Sequence, residues 1–223
     1  MILAGLLLAQ TSAPSLRHLV FDFTYAATRS VTSHSSGFDQ SGSGVSDRHA
    51  YDDAKGTIVV DVLRVGADKG LVLAVSEHAD NADHEAPPVR CLVYPAGVSC
   101  QTGEKVTPEE ASLVRLLADG FVDPARIDAD NHWKIDDGGA GAAGSDYTVL
   151  ANDHNALKID ERRAVGSGVN ATTVTGTIGY NLDREVVTSL NETLVDHPIS
   201  PSGSYMSDIV TFNATLQSDS MAH

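Results

Sequence analysis

TTVTGTIGYNLDREVVTSLNETLV, residues 172–195, decides the fold. Val174, Ile178, Tyr180 and Leu182 alternate there with Thr173, Thr175, Thr177 and Asn181. A period of two puts the apolar groups on one face of a strand and the hydroxyls on the other. Asp183-Arg184-Glu185 breaks the pattern and residues 186–195 resume a β-rich composition, so the stretch predicts two antiparallel strands joined by a short reversal. A lone two-stranded hairpin is marginal in water, and the apolar face of this one therefore demands more strands.

The remaining sequence supplies them. Leu19, Phe21, Phe23, Tyr25 and Ala27 fall on one face of a strand, against Val20, Asp22, Thr24 and Ala26 on the other. Residues 57–65 and 71–77 flank Gly66-Ala67-Asp68-Lys69-Gly70, whose glycines admit the positive φ of a tight reversal, and they predict a hairpin. Further strands are expected over residues 89–94, 98–101, 132–135, 147–151 and 156–165, the last two around the turn Asn152-Asp153-His154-Asn155. Residues 209–216 close the series with Val210, Phe212, Ala214 and Leu216 on one face. Two segments lack an apolar period. Residues 28–53, rich in Ser, Gly, Asp and His, fit either a long mobile loop or a pair of Ser/Thr-rich strand ends, with mobility expected around residues 37–44. The glycine-rich run over residues 136–145 is expected to be a flexible hairpin loop.

The periodicity changes once. Thr107-Pro108-Glu109-Glu110 places a hydroxyl at the N-cap, proline at the first helical position and carboxylates at the positive end of the helix dipole. Leu113, Leu116 and Leu117 then share one face, and Gly120 is expected to stop the helix as a left-handed cap. About ten strands and one helix, joined mostly by short reversals, predict a mainly β (α+β) fold. It is a single large curled antiparallel sheet, half-barrel or barrel-like, with one amphipathic helix packed on the concave face. In outline this resembles the half-barrels of periplasmic lipoprotein carriers and related lipid-binding exported proteins. The resemblance is one of architecture and brings no site residue with it.

With 30 acidic and 15 basic side chains among 223 residues, the formal charge is -15. Such a surface repels phosphate backbones, which argues against nucleic acid as a partner, and it keeps a strand-rich protein in solution. Residues 2–9, ILAGLLLA, followed by Gln10-Thr11-Ser12, have the apolar core and small-residue end of a secretory signal, although an ordinary first strand also fits. The expectation is a signal peptide over residues 1–9 and a single exported β-rich domain over residues 10–223, secreted or periplasmic. No apolar run approaches the roughly 20 residues of a membrane-spanning helix, so no transmembrane segment is expected.

Cys91 and Cys100 flank a β-rich run broken by Pro95-Ala96-Gly97. If Tyr94 pairs with Gly97 across a two-residue turn, the cysteines stand opposite one another; a three-residue loop shifts them to a diagonal. A cross-strand disulfide agrees with an oxidising compartment, and two buried thiols are the alternative.

Candidate sites are sparse. His78, Asp80, Asp83, His84 and Glu85 crowd into one loop and have the ligand chemistry of zinc, but a loop before Pro87-Pro88 is polar in any case. Asp128, Asp130, Asp136 and Asp137 surround Trp133, yet Trp133 stands where a calcium loop needs its turn glycine and Gly139 where it needs glutamate, so an EF-hand is rejected. Phe21, Phe23, Tyr25, Trp133, Tyr180 and Phe212 could line a cleft for a hydrophobic small molecule or lipid, or simply form the core. Asn170, Asn191 and Asn213 each begin an Asn-x-Thr triplet, meaningful only in a eukaryotic secretory protein. There is no nucleotide-binding fingerprint and no Gly-x-Ser-x-Gly elbow, so no cofactor is expected. The leading expectation is a non-enzymatic binding or scaffold domain of the cell envelope with an apolar cleft. The alternatives are an exported metal-dependent or hydrolase-like enzyme using the His/Asp loop, and a structural sheet protein without a site.

Overall fold

The computed structural model describes residues 15–34, 45–66, 70–80, 87–101, 106–123, 125, 127–136, 144–165, 172–196 and 205–221. Eleven strands form one open antiparallel sheet in the order β5-β4-β3-β2-β1-β11-β10-β9-β8-β7-β6. They are β1 (Arg17–His34), β2 (Val45–Val65), β3 (Leu71–Ala79), β4 (Val89–Tyr94), β5 (Gly97–Cys100), β6 (His132–Ile135), β7 (Ser145–Asp153), β8 (Ala156–Val165), β9 (Thr172–Asn181), β10 (Val186–Asp196) and β11 (Tyr205–Met221). The first and last strands in sequence, β1 and β11, meet at its centre, so the two meanders of the chain are joined by the pairing of its ends.

One helix, α1 (Pro108–Arg115), requires the sheet to curl. It lies against β4 and β5 and also reaches β7 and β8 through Arg115 and Ser112. Strands β4 and β8 are seven steps apart in the sheet, about 34 Å if flat at about 4.8 Å per step. A helix of eight residues is about 12 Å long, so only a sheet bent into a trough brings both flanks to it. Inward positions carry the core: Leu19, Phe21 and Phe23 on β1, Ile58, Val60 and Val62 on β2, Ile159 on β8 and Ile178 on β9 are all buried.

The opening stretch forms the expected pair, β9 and β10, with Glu185 at φ 47° in the reversal between them. Residues 28–53 resolve toward strand ends: β1 and β2 pair out to His34 and Val45, whereas β3 stops where Gly56 meets Ala79. The region around residues 37–44 lies outside the described residues, as do residues 137–143 of the expected glycine-rich loop. Ser145 instead begins β7 and is buried.

The helix starts as anticipated but ends early. Thr107 accepts from the Glu110 N–H while the Glu110 carboxylate accepts from the Thr107 N–H, a reciprocal capping box. It stops at Arg115, and Leu116, Leu117 and Ala118 continue as tighter turns bonded to Leu113, Val114 and Arg115. Gly120, at φ 74°, belongs to the following turn rather than to the helix cap. Leu113, Leu116 and Leu117 are buried as expected, but so are Glu109, Glu110, Ser112 and Arg115. The helix fills the trough and presents no solvated stripe of its own there.

Tyr94 pairs with Gly97 across Pro95-Ala96, and Cys91 stands opposite Cys100 with the sulfurs 2.09 Å apart. The two-residue turn is therefore the one adopted.

Candidate functional site

Two features of the trough stand out: a polar cluster sealed under the helix, and a cleft of mixed apolar and polar lining open at one mouth. The cluster grows from a single inward row of the sheet. Cross-strand register sets Trp133, Tyr147, Glu161, Gly176, Glu192, Phe212, Tyr25 and Ala54 side by side. Glu161 and Glu192 thus flank Gly176, and both are 0% exposed. Gly176 makes the juxtaposition possible, because a Cβ there would lie 2.7 Å from the Asn191 carbonyl oxygen and 2.9 Å from Glu192 Cγ.

The helix supplies the counter-charge. Arg115 Nη2 donates to Glu161 Oε1 at 2.6 Å and Nη1 to Ser145 Oγ at 3.0 Å. The Tyr147 hydroxyl also donates to Glu161 Oε1, at 3.1 Å, and the guanidinium carbon of Arg115 lies 6.0 Å from the Tyr147 ring centroid. Arg163 Nε comes within 3.6 Å of the same Glu161 oxygen, and its terminal nitrogen donates to Ser112 Oγ on the helix. Burial, then the charge of Glu161, pushes the Glu192 carboxyl up to about 8. Glu161 Oε2 and both oxygens of Glu192 accept no hydrogen bond. A proton on Glu192 resolves this, turning two facing acceptors into a carboxyl-carboxylate pair.

What can this cluster do? Its carboxyl groups are closed to solvent, and the partners they have are groups of the protein itself. It ties α1 to β7 and β8 by charge-assisted hydrogen bonds. Sequence reading missed it, although the signal was present: Glu161 follows Leu157 and Ile159 at spacing two, and Glu192 stands between Leu190 and Leu194. A carboxylate on an apolar period marks a buried charge that needs a partner.

The cleft opens where β1, β3 and β10 begin and β2 and β9 end, with a volume of about 610 Å³. Leu16, Leu19, Val62, Leu71, Leu117 and Val122 form its walls, and Tyr180 contributes as well. Arg17, Asp119, Asp123 and Glu185 stand on it too. Arg17 is bound to Asp219 through Nε–Oδ1 at 2.8 Å and Nη2–Oδ2 at 2.7 Å, and Arg184 joins the same carboxylate at 2.5 Å. These partners, Arg17 first, hold the Asp219 carboxyl below the usual range.

The six aromatic candidates divide. Phe21, Phe23, Phe212 and Trp133 are core residues, Phe23 and Phe212 with centroids 6.2 Å apart and Trp133 stacked on Tyr147 at 5.0 Å. Tyr180 packs on Phe121 at 5.7 Å and borders the cleft, while Tyr25 borders a separate groove of about 300 Å³ beside the Arg29–Asp208 ion pair. Of the metal candidates, His78 and Asp80 end β3 and the turn after it, with Asp80 3.6 Å from Lys55 Nζ, and Asp83 and His84 lie outside the described residues. Among the described residues no three His, Cys, Asp or Glu side chains gather as an ion site. Asp128 shapes a turn, accepting from the N–H groups of Asp130 and His132 at 2.9 Å each. No described helix is long and apolar enough to cross a membrane.

The sequence matches no protein-family model, and no curated protein is recognisably similar to it.

Proposed function

We propose that this chain is a non-enzymatic binding domain of the cell envelope that holds an apolar ligand, a hydrophobic small molecule or lipid, at the mouth of its trough. The observation that carries this reading is the cleft of about 610 Å³, in which side chains continuing the core are left open to water. Its volume falls within the roughly 300–1,000 Å³ of small-molecule sites, and its walls offer apolar and polar surface in nearly equal shares, with Arg17, Asp119, Asp123 and Glu185 beside the apolar side chains. Export is supported by the apolar leader over residues 2–9 and by the paired cysteines.

Native mass spectrometry of gently purified protein tests the reading, together with uptake of a fluorescent apolar probe by wild type and by a Leu117→Asp variant. Retention or uptake of an apolar molecule, weakened by the substitution, is expected. A chain that neither retains nor takes up any such molecule is not a carrier of this class.

A further inference from the structure

We infer that two copies of this chain pair through the outer edge of β2, antiparallel about a two-fold axis at Tyr51, so that one sheet runs on into the other. Strand β2 pairs with β1 without a register shift from Val45 to Val62, but on its other side β3 meets it only as far as Gly56. Among the described residues no strand pairs with residues 45–54 of β2 on that side. The Asp80 N–H donates to the Lys55 carbonyl at 2.8 Å, which fixes the side to which the backbone groups of Lys55 point. Strand alternation then turns the N–H and C=O of Asp53, Tyr51 and His49 to the same side, past the end of β3. An edge of this kind is a template for another strand.

The side chains select the chain's own copy as the partner. Residues 49–53 are exposed at five consecutive positions, and Tyr51, at 78%, is the most exposed large hydrophobic residue among those described. Charged side chains ordinarily blunt an edge against foreign strands. Here they complement themselves. In an antiparallel ladder the edge-facing residues of one strand stand opposite the edge-facing residues of the other. With Tyr51 opposite its own copy, His49 faces Asp53 on both sides of the axis, imidazole against carboxylate. Shifting one copy by two residues sets His49 against Tyr51 or Lys55 and loses both of these pairs. On the other face of the strand Ala50 meets Asp52, so no like charges stand directly opposed. Aromatic pairs and opposite-charge pairs are favourable cross-strand neighbours, and the two-fold axis makes the flanking contact twice.

Sedimentation of the full chain over a concentration series tests the pairing, at moderate salt to screen the repulsion between two chains of charge -15. Wild type should show a monomer–dimer equilibrium. Asp53→Lys, a change at an exposed side chain, should weaken it about tenfold, and the double variant His49→Asp/Asp53→Lys, which restores opposite charges, should recover it. Cysteine cross-linking reads the register. The native cysteines are bonded to each other, so an introduced thiol has only its copy to meet. Under mild oxidation Tyr51→Cys should give a covalent dimer, because opposed residues lie about 5.5 Å apart at Cα. Asp53→Cys should not, being about 13 Å from its copy, four residues along the strand. A chain that stays monomeric at every concentration, with Tyr51→Cys uncross-linked, overturns the inference. So does a dimer that ignores Asp53→Lys or cross-links as readily through Asp53→Cys as through Tyr51→Cys.

Discussion

Glu161 and Glu192 stand on either side of Gly176 in one row of the sheet, two carboxyl groups in a space closed to solvent. Two unit charges so placed, with Arg115 hydrogen-bonded to Glu161 and Arg163 at ion-pair distance from it, cannot both ionise cheaply, and burial with the charge of Glu161 favours the protonated form of Glu192. The pair therefore makes folding stability depend on pH.

The direction follows from linkage. Glu192 titrates near 4.5 when unfolded and is pushed up to about 8 by burial and by Glu161 in the fold. Its stabilisation is complete below the unfolded value and is lost as pH rises toward the folded one, at about 1.4 kcal/mol per unit of separation, a few kcal/mol in all. Glu77 and Glu110, both raised chiefly by burial, act in the same direction. Asp208 and Asp219, held low by Arg29 and Arg17, lose their contribution only as pH falls through the acid range. Urea unfolding between pH 5 and 8 should show wild type weakening, and Glu192→Gln should flatten much of that slope and be the more stable protein at pH 8. An unchanged slope would mean that Glu192 is already ionised in the folded chain.

Gly176 is the spacer that lets the two carboxyl groups meet. A methyl group there lies within 2.7 Å of a backbone oxygen of β10, so Gly176→Ala should destabilise by about 1–3 kcal/mol through forced strand movement. Gly97, where an added Cβ meets nothing within 4 Å, is the control, and Gly97→Ala should change little. Equal midpoints in thermal unfolding for the two variants would contradict the close approach.

Arg115 is the cation that Glu161 requires. Arg115→Met leaves a buried carboxylate short of its strongest donor and should destabilise by about 3–5 kcal/mol. Adding Glu161→Gln removes the stranded charge, so the double variant should be less damaged than the two single losses added together, by more than about 1 kcal/mol. Strict additivity in the double-mutant cycle would show that the two side chains do not act as a pair.

Legibility in the sequence followed the solvent. Where one face of a strand meets the core and the other meets water, the alternation at Leu19, Phe21 and Phe23, or at Ile178 and Tyr180, announces the strand. Residues 49–53 of β2 are exposed at five consecutive positions, so no alternation is required of them, and the strand end is indistinguishable from a loop by pattern. The helix start was written in local hydrogen bonds between Thr107 and Glu110, whereas its end was not: Leu116 and Leu117 keep a helical spacing after the backbone has tightened into turns. Of the six aromatic candidates only Tyr180 borders the larger cleft. Which apolar side chains remain uncovered depends on how far the sheet curls, a long-range property that no local period encodes.

Cys91 and Cys100 clip the edge strand β5 to β4 at the flank of the sheet farthest from β6. Cys91 is buried in the core and pairs with Leu73 of β3 on its other side, while β5 pairs with no second strand among the described residues. The cross-link closes a short loop and should add about 2–3 kcal/mol. Because the helix rests on β4 and β5, that stabilisation also bears on the seating of α1. Reduction, or the Cys91→Ala/Cys100→Ala double variant, should lower the unfolding midpoint and speed amide exchange in β4, β5 and the first turn of α1. Exchange in β8 to β10, joined to one another by long ladders, should be protected nearly as before. Uniformly faster exchange across both flanks would show that the bridge supports the whole sheet and not one edge of it.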